Sequence, residues 1–375
     1  MKTVSYIIVS IIILITGSCI TQFLPETDED PELLVVDGII TDQPEANIVK
    51  LSRSMPLGKL AVVKPLLGCT VSITDDLGNL YMLTELEPGI YITDKMTFQG
   101  VLGRKYTLHV STNNSMAHNY SYESMPMEMK AVPPIDTLYY EKVVIKERDE
   151  FSGPMEGCQV YLNTYDSKGL CKYYRWDYSE TWKFTLPYYV PNQICWITNN
   201  SDVINIKNTS VLSEDRINRF PLKFISNETD RLNERYSILV NQYSVSEDEF
   251  TYWEKLRNIS EEIGGLYDIV PSSIPGNLYC IEDPAEQVLG YFSVSAKKSK
   301  RIYVDENLRG AINLYRECPA DTLSYNDPII GLNSSVWVIV DDPYNGYKVI
   351  TYTKGCADCT VRGTTIKPDF WTDAK

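Results

Sequence analysis

Leu33-Leu34-Val35-Val36-Asp37-Gly38-Ile39-Ile40, closed by the turn formers Thr41-Asp42-Gln43-Pro44, reads as a strand and its punctuation. The run is rich in β-branched residues and too short for an independent helix. Similar apolar or alternating runs follow at 46–52, 70–75, 80–85, 89–93 and 105–111. Turn signals part them, among them Asp76-Leu77-Gly78-Asn79 and Glu87-Pro88-Gly89. Strands at this spacing predict a β-sandwich of immunoglobulin-like or transthyretin-like type over 33–128. Three prolines between Met125 and Pro134 mark the expected boundary.

Beyond it, 136–147, 159–166, 173–184 and 193–198 read as strands rich in Tyr, Trp, Val and Ile, two of them meeting at the hairpin turn Asp166-Ser167-Lys168-Gly169. Further strands are expected at 236–244, 288–295, 336–340 and 347–352, whereas the polar stretch 199–208 reads as a solvent-facing loop. One helix interrupts them. Ser246-Glu247-Asp248-Glu249 is a capping box, and Tyr252, Leu256, Ile259 and Ile263 share a stripe before Gly264-Gly265, which places the helix near 246–263. The expected chain is mainly β, with the sandwich followed by a larger β-rich domain over 135–375 that carries a short helical insertion.

Outward from this body, residues 1–18 have the form of a secretory signal. Lys2 starts it, Val4 to Ile15 is apolar except for Ser5 and Ser10, and Thr16-Gly17-Ser18 sets small residues before Cys19. A spanning helix wants about 20 apolar residues, so a cleaved signal is preferred to a membrane helix. The arrangement resembles a bacterial lipoprotein signal, with Cys19 as the acylated residue and Thr16 standing where Leu is usual. Acyl chains contribute about 0.8 kcal/mol per buried CH₂, and two or more hold a protein stably on a membrane. Residues 19–32, with Glu26, Asp28, Glu29, Asp30 and Glu32 broken by Pro25 and Pro31, read as an acidic flexible tether.

The chain has 35 basic and 50 acidic residues, a net charge of −15, which argues against nucleic acid as a partner because phosphate binding needs clustered Lys and Arg. Only two histidines occur, His109 in an alternating strand and His118 in a polar loop. No histidine-based nucleophile or zinc constellation can be assembled from them, and no cofactor or catalytic residue is assigned. Carboxylate chemistry needs only two acids, and 50 of them select no pair.

Apart from Cys19, eight cysteines remain: Cys69, Cys158, Cys171, Cys195, Cys280, Cys318, Cys356 and Cys359. An even number in an exported chain makes all eight candidate disulfide cysteines, with 105 conceivable connectivities if all pair. Cys356-Ala357-Asp358-Cys359 lacks a second ligand pair for zinc, and the flanking Gly355, Thr360 and Gly363 mark turns where a redox motif would open a helix. Structural pairing with each other or with upstream cysteines is expected of these two. Among 27 tyrosines and 6 tryptophans, Tyr174, Trp176 and Trp182 are the candidate ligand contacts, with strand packing as the competing role. Arg175 and Glu180 flank them as an ion pair.

Tyr174-Arg175-Trp176 with Glu180-Thr181-Trp182, Arg235-Tyr236-Ser237 running on to Asn241-Gln242-Tyr243-Ser244, Gly276-Asn277 with Leu289-Gly290-Tyr291-Phe292, and the ending from Cys356 through Arg362-Gly363-Thr364 to Lys367-Pro368-Asp369-Phe370-Trp371 together resemble the Bacteroidota outer-membrane lipoproteins of domain-of-unknown-function family 4249. The resemblance implies a lipid anchor in the outer membrane through Cys19 and surface exposure signalled by the acidic run. It also implies a non-enzymatic role as accessory or ligand-binding partner of a TonB-dependent nutrient transporter. Asp136-Thr137-Leu138 and Asp321-Thr322-Leu323 resemble the O-glycosylation sequence of that phylum. A structural or adhesive envelope protein is the alternative, and a carboxylate-dependent hydrolase the third reading.

Overall fold

The computed structural model describes residues 32–54, 63–112, 120–145, 155–262, 274–305, 318–327 and 336–373. The opening run forms the strand Leu34–Ile40, whose alternation buries Leu34, Val36 and Ile40 and turns Asp37 to solvent. It sits in a sheet of order Leu289–Val294, Leu34–Ile40, Ile48–Arg53, Ile90–Ile92, Thr84–Glu87, with Lys64–Pro65 also on Ile48–Arg53. A second sheet runs Leu278–Cys280, Ser121–Ser124, Lys105–Ser111, Thr70–Asp75, Leu80–Met82, with Met127–Glu128 on Lys105–Ser111. The inner faces meet in one core that includes Leu34, Val36, Leu51, Val71, Ile73, Leu108 and Phe292. The expected mainly β architecture is the observed one.

The chain does not respect the boundary at 125–134 as its last crossing point. Leu278–Cys280 adds to Ser121–Ser124, and Leu289–Val294 lies parallel to Leu34–Ile40, so a late segment completes both N-terminal sheets. The unit over 135–375 therefore contributes two strands to the unit over 33–128. Neither partner strand lies close in sequence, so local pattern carries no record of the pairing.

The second core lies between the sheet Ile135–Ile145, Met155–Tyr165, Arg216–Ser226 and the sheet Ile194–Asn200, Tyr173–Thr185, Tyr236–Ser244, Lys297–Val304. Asn205–Asn208 pairs with Tyr173–Thr185 and buries Asn205 and Ile206, which corrects the loop expected over 199–208. Two long strands escape sequence patterning. Arg216–Ser226 contains Pro221 and two irregularities of register, and Lys297–Val304 is a charged edge strand. A third sheet, Ala320–Ser324, Tyr347–Thr351, Trp337–Asp342, packs onto this core through Ile339.

The expected helix is Glu247–Glu262. Ser246 Oγ accepts the Glu249 N–H at 3.1 Å, one half of a capping box. The helix stands where the two cores adjoin: Tyr252 and Leu256 face the first, while Phe250 joins Ile206, Tyr243 and Val245 in a small cluster that also touches Ile39 and Trp253. Ile259 is half-buried, and Ile263 and Gly264-Gly265 lie outside the described residues.

Candidate functional site

The aromatic candidates are interior. Tyr174, Trp176 and Trp182 are 0%, 1% and 3% exposed, all part of the second core. Burying a large apolar side chain stabilises by about 1.5–3 kcal/mol, so packing rather than ligand contact accounts for them. Trp176 Nε1 donates to Gln242 Oε1 at 2.8 Å, and Gln242 Nε2 donates to Pro133 O at 2.8 Å and Thr164 Oγ1 at 3.0 Å. One buried amide thus ties both sheets to the inter-sheet linker. Arg175 and Glu180 do not pair, because five residues along a strand places them on opposite faces. Glu180 instead meets Arg231 at 2.9 Å and accepts from Tyr236 Oη at 2.8 Å, while Arg175 lies over the rings of Tyr243 and Trp253.

The cysteines divide. Cys195 bonds to Cys359 and Cys318 to Cys356, so the Cys356-Ala357-Asp358-Cys359 segment is stapled twice to upstream chain. Cys69, Cys171 and Cys280 are thiols, and Cys158 belongs to neither disulfide, so four of the eight candidates form the two bonds. Burial pushes the Cys171 thiol up to about 12 and raises those of Cys69 and Cys280. Cys19, the leader and nearly all of the tether lie outside the described residues, as does His118; His109 Nε2 lies 2.7 Å from Thr74 Oγ1 on the neighbouring strand. Thr137 and Thr322 are both exposed.

The staples build a concave surface. The loop between Tyr173–Thr185 and Ile194–Asn200 is held against the C-terminal segment by Cys195–Cys359, by the Cys359 N–H on Asn192 O at 3.1 Å and by Asn192 Nδ2 on Asp358 Oδ1 at 3.1 Å. Thr364 then pairs with Trp196, an approach that only Gly363 permits, since a Cβ there would sit 2.5 Å from Trp196 O. Between loop and tail lies a groove of about 580 Å³ lined by Tyr189, Val190, Pro191, Asn192, Gln193, Ile194 and Thr365. That size falls within the range of about 300–1,000 Å³ usual for small-ligand sites. Its lining has apolar walls, two amides and the hydroxyls of Tyr189 and Thr365, with no Asp, Glu or His. Tyr189 is 91% exposed. Sequence reasoning passed over this loop; its signal was Leu186-Pro187-Tyr188-Tyr189-Val190-Pro191, two prolines bracketing a paired tyrosine.

A different polar group is sealed under the helix. Glu249 is fully buried: its Oε1 accepts from Ser293 Oγ at 2.6 Å and Trp253 Nε1 at 3.2 Å, while Oε2 has no hydrogen-bond partner. Burial holds its carboxyl above the ordinary value, and nearby Arg175, Ser293 and Trp253 oppose the shift.

The Gly276-Asn277 and Leu289-Gly290-Tyr291-Phe292 segments form a knot of the same structural kind. Asn277 Nδ2 donates to Phe292 O at 2.8 Å and Asn277 Oδ1 accepts the Phe292 N–H at 2.9 Å. Gly290 has φ +85°, and a Cβ on it would lie 1.9 Å from Val36 O. Residues 20–301 match the family described as Domain of unknown function (DUF4249). The chain belongs to the DUF4249 family. Within that match, Trp176, Gln242, Asn277 and Gly290 hold sheets together, and the groove's Thr365 and the Cys356-Cys359 segment lie beyond its end. No curated protein matches the chain.

Proposed function

We propose that this DUF4249 protein is an outer-membrane lipoprotein, anchored by acyl chains on Cys19 and displayed at the cell surface, that serves a TonB-dependent nutrient transporter as a non-enzymatic, ligand-binding accessory. The observation that carries the binding role is the groove under Tyr189, a braced concavity whose lining offers apolar contact and neutral hydrogen bonding but no charged side chain. The leader before Cys19 and the acidic tether support the anchor, and family membership supports the setting. The net charge of −15 over the whole chain suits a soluble domain held off the lipid by its tether.

Two measurements test this. Metabolic labelling with a radioactive fatty acid is expected to mark the wild-type chain and not Cys19→Ser. Mild-detergent purification of the tagged protein is expected to bring down a transporter barrel; repeated recovery of the lipoprotein alone would count against the accessory role.

A further inference from the structure

The groove under Tyr189 carries a donor and acceptor pattern that narrows what it holds. Asn192 Nδ2 donates to Asp358 Oδ1 and Gln193 Nε2 donates to Leu186 O, both at 3.1 Å. These bonds fix which end of each amide meets the protein. The opposite ends, Asn192 Oδ1 and Gln193 Oε1, receive no donor among the described residues, and the Tyr189 and Thr365 hydroxyls have no partner there either. An amide oxygen only accepts, whereas a hydroxyl both accepts and donates. The lining thus presents chiefly acceptors and suits a ligand rich in donors.

The rest of the lining limits the ligand's charge and kind. No Lys, Arg or His is present to hold a phosphate, sulfate or carboxylate, and no Asp or Glu to hold an ammonium. The flanking Asp358 already accepts from Asn192 Nδ2, from the Thr360 N–H and from Thr360 Oγ1 on one oxygen. An extended peptide would pair with main-chain acceptors, and those beside the amides are taken. Gln193 O accepts the Leu186 N–H at 2.9 Å, and Asn192 O accepts the Cys359 N–H at 3.1 Å.

The apolar part is a platform. The Tyr189 ring is 91% exposed on a loop held by Pro187, Pro191, the Cys195–Cys359 bond and the Tyr188 Oη bond to Cys318 O at 2.8 Å. An aromatic ring set by two torsions loses little entropy when it is covered. A pyranose ring matches such a lining, since it pairs a face of C–H groups with a rim of uncharged hydroxyls, each able to donate. We infer, on the reading that this groove is the binding site, that its ligand is a neutral saccharide stacked on Tyr189, with hydroxyls donating to Asn192 Oδ1 and Gln193 Oε1.

An array of neutral glucans, mannans, xylans and galactans, probed with the full chain in a detergent that lacks a sugar headgroup, tests this. At least one neutral glycan is expected to bind, with an affinity by calorimetry that added salt leaves unchanged. Tyr189→Ala is expected to weaken that affinity by about tenfold or more, and Thr365→Val by about threefold, both with the melting temperature unchanged. Binding of no neutral glycan, preference for acidic glycans, or an affinity untouched by Tyr189→Ala would overturn the assignment. Binding of choline or of a neutral peptide in place of glycans, lost on Tyr189→Ala, would also overturn it while leaving the groove as the binding site. Recovery of a transporter barrel beside any of these results leaves the accessory role standing.

Discussion

At the residue scale, single side chains in this protein do the joining that long interfaces do elsewhere. Gln242 satisfies Trp176, Thr164 and Pro133 at once. Gln242→Ala strands a buried indole N–H and a carbonyl, and is expected to cost about 2–4 kcal/mol, read as a lower urea midpoint with unchanged slope. Gly290→Ala forces a side chain into a left-handed conformation and onto Val36 O. It is expected to destabilise more than Asn277→Ala, which removes two hydrogen bonds but adds no overlap; thermal melting of the two variants ranks them. Trp176 and Trp182 were visible in the sequence as residues of consequence, while their solvent exposure depended on which face of a strand met the opposing sheet.

At the scale of elements, the C-terminal segment is held by covalent as well as packing interactions. The Cys195–Cys359 and Cys318–Cys356 bonds close loops with separations of 164 and 38 residues, and removing such a cross-link costs about 2–5 kcal/mol. Mild reduction is expected to expose residues 318–373 to protease before the N-terminal sandwich is cut, with fragment masses as the readout. The double variant Cys195→Ser with Cys359→Ser should behave likewise and lose the groove's geometry. Tyr189→Ala, by contrast, removes a 91% exposed ring and is expected to leave stability unchanged while weakening any ligand of the groove.

At the scale of the whole molecule, the helix Glu247–Glu262 lies where two cores adjoin, with Glu249 buried at its first turn. The groups facing Glu249 include Arg175, Tyr291 and the side chains of Ser293 and Trp253. Because its folded-state pKa is raised above 4.5, the folded protein holds a proton that the unfolded chain releases. That stabilising contribution is complete below about 4.5 and is lost as pH rises through the raised value. Glu249→Gln is expected to flatten the fall in stability from pH 5 to pH 7.5, measured by urea melts at both. Asp75 and Asp166, held low by hydrogen bonds from their own turns, act in the opposite sense at more acidic pH, where their protonation removes stability.

Alternation, turn residues and the capping box by themselves determined the β class, most strand positions and the helix, because each is written in neighbours a few residues apart. The charge balance likewise is a property of composition. Only the tertiary structure decided which cysteines pair, that Leu278–Cys280 and Leu289–Val294 return to the first sandwich, and that the tryptophans are interior. The groove under Tyr189 belongs with these, since it arises where segments far apart in sequence meet. Local pattern specifies the face a side chain takes, and long-range packing specifies what that face meets.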